Sequence, residues 1–162
     1  MSGLPTIHEL RQSLRETRAY MLSPVVGLPE SLLQAPHVFG PYSVAQVMAI
    51  RIEAENRALT LVQSMCHGHP VGYALPREEL DRKAVYARWG WDWAHLMREL
   101  YQQREETMWN LEDFGGPILH RQFEVQGQWL SPYDVLAALA YEEQAVGDVL
   151  WAWRDRIDWT QS

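Results

Sequence analysis

The chain offers almost no cysteine chemistry. Cys66 is the only cysteine among its 162 residues, so an internal disulfide is impossible. Chains without disulfides are typical of reducing compartments, and we therefore expect a cytoplasmic protein. The N-terminal residues lack the basic segment and apolar run of a signal peptide. No apolar run reaches the roughly 18 residues that a membrane span needs, so we also expect no membrane partner.

Positive charge is also scarce. The 14 Lys and Arg residues stand against 21 Asp and Glu residues, which gives a net charge of −7, and Lys83 is the only lysine. Because a negative protein repels a phosphate backbone, the composition predicts no nucleic-acid partner. Apolar residues make up 47% and charged residues 22% of the chain. This balance is typical of a soluble globule, and the length predicts one domain over residues 1–162.

Four segments carry apolar residues at helical spacing, and no segment shows a strong β pattern. They are residues 6–22, 43–65, 77–111 and 131–157. Thr6 with Glu9, and Ser43 with Gln46, have the spacing of capping boxes. Gly90 predicts a break or kink inside the third segment, while residues 119–129 could be extended or a loop. The pattern predicts an all-α protein, with the simplest packing a four-helix bundle that has two longer connections.

The histidines do not form a helical metal-binding pattern. No two of them stand four residues apart, and no Glu precedes a His by three. Cys66, His67 and His69 are clustered, and they could belong to a zinc site with a distant fourth ligand or to a polar loop between helices. No glycine-rich phosphate loop and no nucleophile elbow occurs. We therefore assign no catalytic residue, no metal ligand and no cofactor.

Carboxylates interrupt two of the apolar helical stripes. Glu55 lies between apolar residues of the second segment, while Glu142 and Glu143 do so in the fourth. Burying an unpaired carboxylate costs several kcal/mol. These side chains therefore have solvated heads, pair with arginine, or line a shared polar pocket. Arg51 stands four residues before Glu55, a spacing at which helical residues form ion pairs.

Tryptophan is frequent, with eight residues in a chain of this length. They predict a core combined with a dimer contact, or alternatively the wall of a ligand pocket. The eight are Trp89, Trp91, Trp93, Trp109, Trp129, Trp151, Trp153 and Trp159.

Two short motifs resemble the DinB-like (damage-inducible) four-helix bundles. Residues 42–50 (YSVAQVMAI) are similar to the start of that family's second helix, where an aromatic residue, Ser and Val precede an apolar pair and a His. Residues 140–149 (AYEEQAVGDV) resemble its last helix, which carries two His residues four apart and then a polar residue, usually Gln. The resemblance implies a bundle of up-down-down-up type, and it implies a homodimer.

The resemblance also places the family's three metal-binding histidines on this chain. They fall on Ile50, Tyr141 and Ala145, and the Gln position falls on Asp148. Isoleucine and alanine cannot bind a metal, so the family's metal chemistry is not expected here. We therefore predict a non-catalytic protein that binds a small molecule or a partner, with a role in stress implied by the family.

Three functions remain open at this stage. The first is small-molecule binding in a cleft between the second and fourth segments, with candidate lining residues Ile50, Glu55, Tyr141, Glu142, Ala145 and Asp148. The alternative is a metal-dependent thiol transferase or hydrolase whose ligands have moved to carboxylates or to the Cys/His cluster. The third is a structural role in a dimer or a larger complex.

Overall fold

The computed structural model describes residues 3–69 and 75–157. This part of the chain is mostly helical (73%), with six α-helices and one two-stranded sheet. The helices are α1 Ile7–Leu22, α2 Glu30–Leu33, α3 Val44–Cys66, α4 Arg77–Ala87, α5 Trp93–Asn110 and α6 Pro132–Arg156. The strands are β1 Phe123–Val125 and β2 Gln128–Leu130. No described helix is long and apolar enough to cross a membrane.

The helices begin where the capping residues predict. Thr6 and Ser43 each accept a hydrogen bond from the backbone N–H three residues on, and both capping boxes are complete. Ser131 caps α6 in the same way, with Asp134 as its reciprocal partner. Each box satisfies backbone N–H groups that a helix start would otherwise leave without acceptors.

The third predicted segment is two helices. The chain breaks between α4 and α5, where Gly90 adopts a φ of 80°. Glycine tolerates this left-handed conformation because it has no Cβ. Asp92 then caps α5 by accepting from the backbone N–H of His95. The short helix α2 lies outside the four segments that the sequence predicts as helical.

The two strands lie almost entirely in residues 119–129, the segment that the sequence predicts as extended or a loop. Residues Phe123 to Leu130 form an antiparallel hairpin in which Phe123 pairs with Leu130 and Val125 with Gln128. Gln126 and Gly127 turn the chain with φ values of 51° and 81°. A tight turn with positive φ at both central positions matches the twist of the flanking strands. Strands of three residues are too short for a clear alternating pattern.

Four long helices carry the core. α6 packs against α1 on one side and against α3 on the other, and α3 also packs against α5. The buried apolar side chains form two main clusters along these helices. One contains Met21, Met48, Leu100 and Leu150, and the other contains Leu14, Leu59, Leu111 and Leu136. In each helix the two clusters are separated by one buried charged residue.

Candidate binding groove and its charged floor

A layer of four charged side chains lies between the two apolar clusters. Each long helix supplies one residue: Arg18 from α1, Glu55 from α3, Arg104 from α5 and Glu143 from α6. The exposed fraction of the side chain is 9% for both arginines, 2% for Glu55 and 1% for Glu143. Two cations and two anions leave the layer without net charge, which is the condition under which buried charges are tolerated.

Each arginine contacts both carboxylates. The Nε of Arg18 lies 2.6 Å from Oε2 of Glu143, and its Nη2 lies 3.3 Å from Oε1 of Glu55. The Nη2 of Arg104 lies 2.6 Å from Oε1 of Glu55 and also donates to Glu143. The hydroxyl of Thr107 donates to Oε2 of Glu55 at 2.9 Å. The layer is therefore a connected network rather than two separate ion pairs.

Both guanidinium groups also donate to backbone carbonyls across the layer. Nη1 of Arg18 reaches the carbonyl oxygen of Leu100 at 3.2 Å, and Nη1 of Arg104 reaches that of Leu14 at 2.7 Å. Burial lowers the pKa of Arg18, and the nearby charge of Arg104 lowers it further, while the two carboxylates oppose this. Burial also lowers the pKa of Arg104, but its hydrogen bonds and charge interactions with Glu55 and Glu143 outweigh that effect and raise it.

A groove of about 1210 Å³ opens between α1 and α5 above this layer. Arg18 and Arg104 belong both to the layer and to the groove, so the buried network forms part of its floor. The α1 wall adds two further arginines, and the α5 wall adds aromatic, thioether and acidic side chains. Those wall residues are Arg11, Arg15, Ala19 and Leu22 on α1, and Tyr101, Glu105, Met108 and Trp109 on α5.

The rim of the groove exposes large apolar side chains. Trp109 is 81% exposed and Tyr101 is 54% exposed. Arg11 forms an ion pair with Glu112, at 2.6 Å, which joins α1 to the segment after α5. Arg15 is exposed, and among the described residues no acceptor lies within hydrogen-bond distance of it. The groove therefore combines an aromatic wall with one unpaired cation.

The six residues of the predicted cleft lie in different environments in the structure. Ile50 is buried and packs with Ala84 and Val85 of α4. Tyr141 is 78% exposed, and Ala145 also faces solvent. Glu55 belongs to the charged layer. This α3–α6 cleft stays a prediction.

The other two predicted residues have partners away from the groove. Asp148 accepts a hydrogen bond from the hydroxyl of Tyr20. Glu142 is bound by Arg51 at 2.6 Å and by Arg77 at 3.3 Å. Burial raises the pKa of Glu142, but Arg51 and Arg77 outweigh that effect and hold it below its ordinary value.

No described group of three or more His, Cys, Asp or Glu side chains could hold a metal ion. The rings of His67 and His69 lie 6.0 Å apart, and Nδ1 of His67 lies 2.8 Å from the carbonyl oxygen of Gln63. Burial raises the pKa of the Cys66 thiol, so that the unreactive protonated form is favoured. Trp159 of the sequence analysis lies outside the described residues.

Sequence reasoning missed both arginines of the layer, although a signal was present. Arg18 continues the apolar stripe of α1, four residues after Leu14 and three before Met21. Arg104 continues the stripe of α5, four residues after Leu100. An arginine on a buried helix face needs a buried acceptor, and Glu55 and Glu143 were the available carboxylates.

Comparison with known proteins shows the fold alone. No protein-family model matches the sequence, and no curated protein matches it significantly. An uncharacterised protein of Clostridium difficile 630 matches the structure with a TM-score of 0.81 and 11% identity, over 96% of this chain and 99% of that one. The sibling lethal factor precursor DfsB matches with a TM-score of 0.80 and 12% identity, over 94% and 97%.

A third similar structure corrects one expectation. The colibactin self-resistance protein ClbS, solved in complex with a dsDNA, matches with a TM-score of 0.76 and 14% identity, over 96% of this chain and 99% of that one. The prediction that nucleic acid is excluded as a partner is therefore wrong, because a protein of this fold contacts duplex DNA. Net charge averages over the whole surface, whereas phosphates are contacted by local groups of arginines.

Proposed function

We propose that the protein binds a small organic ligand, without catalysis, in the groove between α1 and α5. One observation carries the proposal: a groove of about 1210 Å³ has a largely apolar wall and two buried guanidinium groups in its floor. Ligand sites are typically concave, mostly apolar and furnished with a few fixed polar groups. Among the described residues this groove has all three properties.

The energetics of the charged layer support a binding role. Well-packed apolar residues are often as stabilising as a buried ion pair, so such a pair gives a fold little stability that it could not obtain otherwise. Departures from an apolar core are expected at functional sites. Here the buried charged layer reaches the groove, because two of its members, Arg18 and Arg104, also line the groove.

The bonding of the carboxylates supports binding rather than catalysis. Both oxygens of Glu55 and both of Glu143 accept hydrogen bonds from the arginines, Thr107 or Thr17. A general base needs an oxygen that can take a proton from the substrate. In this arrangement, the donors already occupy the oxygens on which such a reaction would depend.

We further propose that the four long helices form the DinB-like bundle of up-down-down-up type and that the metal site of that family has been lost. Ile50, Tyr141 and Ala145 at the three histidine positions support the loss. A homodimer, a cytoplasmic location and a role in stress or resistance belong to the same proposal. The self-resistance in the name of ClbS is a property of that protein, and it supports the last of these.

The binding proposal is tested by filling the groove. Ala19 lines it from α1 and is exposed, so Ala19→Trp places a large side chain there without removing any member of the charged layer. Ala138→Trp, at an exposed position of α6, is the matched control. The probe is anilinonaphthalene sulfonate, whose fluorescence rises in apolar sites. We expect saturable binding that Ala19→Trp weakens about tenfold and Ala138→Trp leaves unchanged. Equal binding by both variants would place the dye elsewhere and refute the proposal.

Duplex DNA is a second candidate, favoured by Arg15 and Arg11 on one face of α1 and by the complex of ClbS. Binding through phosphates weakens steeply with salt. The test is to measure binding of a labelled duplex by fluorescence anisotropy at low and at physiological salt. The native chain and Arg15→Glu are compared. Salt-dependent binding that Arg15→Glu abolishes supports this candidate, and the absence of duplex binding removes it.

A further inference from the structure

We infer that the ligand of the α1–α5 groove is an aromatic anion, whose acidic group is held by the α1 wall and whose flat body lies against α5. This inference rests on the proposed binding function and adds the chemical class of the ligand. It follows from which charges of the groove are already neutralised and which are not.

Three of the four arginines that line the groove are neutralised within the protein, whereas the lining carboxylates Glu105 and Asp113, in α5 and the segment after it, have no ion-pair partner among the described residues. Arg11 is paired with Glu112, and Arg104 with Glu55 and Glu143. Arg15 differs, because among the described residues no acidic group lies within ion-pair distance of it. It lies on α1 one turn from Arg18, so both residues face the groove. An exposed cation without a partner attracts an anionic group of the ligand.

Arg18 adds donors beside Arg15. A guanidinium carries five N–H groups. Three of these in Arg18 have acceptors in the described part of the chain, on Glu143, Glu55 and the carbonyl of Leu100. One N–H on each terminal nitrogen has no acceptor in the described part of the chain, and Arg18 lines the groove. A carboxylate or sulfonate bound by Arg15 could accept from them, and hydrogen bonds to ionised groups are about twice as strong as neutral ones.

The opposite wall selects the body of the ligand. Trp109, Tyr101 and Met108 present two aromatic rings and a thioether on α5. Flat aromatic molecules gain most from such a surface, since rings stack and sulfur contacts ring edges favourably. Glu105 lies on the same wall and repels an anion, which turns the acidic group of the ligand towards α1. The groove therefore has an unpaired positive charge on its α1 wall and a negative charge on its α5 wall.

Two dyes with the same aromatic body test the inference on the full chain. Anilinonaphthalene sulfonate carries a negative charge, and N-phenylnaphthylamine lacks it. We expect Arg15→Gln to weaken binding of the sulfonate dye about 3- to 10-fold and Glu105→Gln to tighten it about 2- to 5-fold. The neutral dye should change less than about 2-fold in both variants.

Matched controls and outcomes separate this inference from the binding proposal. Arg98→Gln and Glu106→Gln make the same charge changes at exposed positions of α5 that do not line the groove. The inference is supported if Arg15→Gln weakens and Glu105→Gln tightens binding of the sulfonate dye while the two control variants leave it unchanged. If both dyes bind in the groove but Arg15→Gln behaves like Arg98→Gln, the groove binds ligands and the assignment of an anion is wrong. If neither dye binds, the proposed function itself fails.

Discussion

Removing one charge from the buried layer should destabilise the protein strongly, and Glu143→Gln is the sharpest test. The glutamine keeps the shape of the side chain but leaves Arg18 and Arg104 with Glu55 as their only anion. The Glu143 side chain is 1% exposed and those of the arginines are 9% exposed, so water cannot compensate. Breaking a buried ion pair by removing one partner costs about 3–5 kcal/mol.

That magnitude is large against the whole stability of a domain, which is about 5–15 kcal/mol. For a chain of this size each kcal/mol shifts the Tm by about 2–4 °C, so we expect a fall of about 6–20 °C. Urea unfolding followed by circular dichroism measures the free energy of unfolding, with an unchanged m-value as the sign of an unchanged native state.

The control is the exposed pair on the surface of the same groove. Glu112 is 72% exposed and binds Arg11, so Glu112→Gln should cost no more than about 1 kcal/mol. Adding Arg18→Met to Glu143→Gln restores neutrality of the layer and should recover part of the loss. Equal stability of Glu143→Gln and Glu112→Gln would refute the reasoning, as would a double variant less stable than the sum of the single changes.

Two further changes test other contacts of the long helices. A Cβ on Gly147 would lie 2.5 Å from two ring carbons of Tyr20 and 3.3 Å from Cα of Met21, so Gly147→Ala should destabilise by about 1–3 kcal/mol in urea unfolding. In a Tyr20→Ala background the same change should cost clearly less, because only the 3.3 Å contact with Met21 remains and alanine is the better helix former; an unchanged cost would show that the ring is not responsible. Glu142→Gln should lower stability at about pH 7, because the folded-state pKa of Glu142 is depressed by Arg51 and Arg77. The difference from the native chain should shrink as pH falls through and below the ordinary carboxyl value of 4.5, and a difference that persists in acid would contradict this account.

The local signals of the sequence located most helices well. Capping boxes at Thr6 and Ser43 act within four residues, so a single chain is enough to read them. Gly90 likewise marks the break between α4 and α5 through a local property, its positive φ. The hairpin at Phe123–Leu130 was not predicted, because its pairing depends on two three-residue strands whose alternation is too short to recognise.

The candidate site could be predicted only in part, because its partners come from different helices. Glu55 has Arg51 four residues before it, yet it is bound by Arg18 and Arg104 from α1 and α5. Arg51 instead binds Glu142 of α6. Spacing in sequence shows which side chains can pair on one helix, whereas the packing of the helices decides which pairs form. Arg51 and Glu55 are both buried, but they contact different neighbours: Glu55 contacts α1 and α5, and Arg51 contacts α6.

The same reasoning explains why the total charge misled the prediction about partners. Many acidic side chains of this protein are occupied by arginines of the same chain, as Glu55, Glu143 and Glu112 are. What a ligand meets is the charge left over at one place, and on the α1 side of the groove that charge is the cation of Arg15. A net charge of −7 therefore does not prevent a local site for anions. For a small aromatic acid this site also supplies an apolar wall, which a phosphate backbone would not use. That difference is why the two dyes and the labelled duplex together discriminate between the candidate partners of the groove.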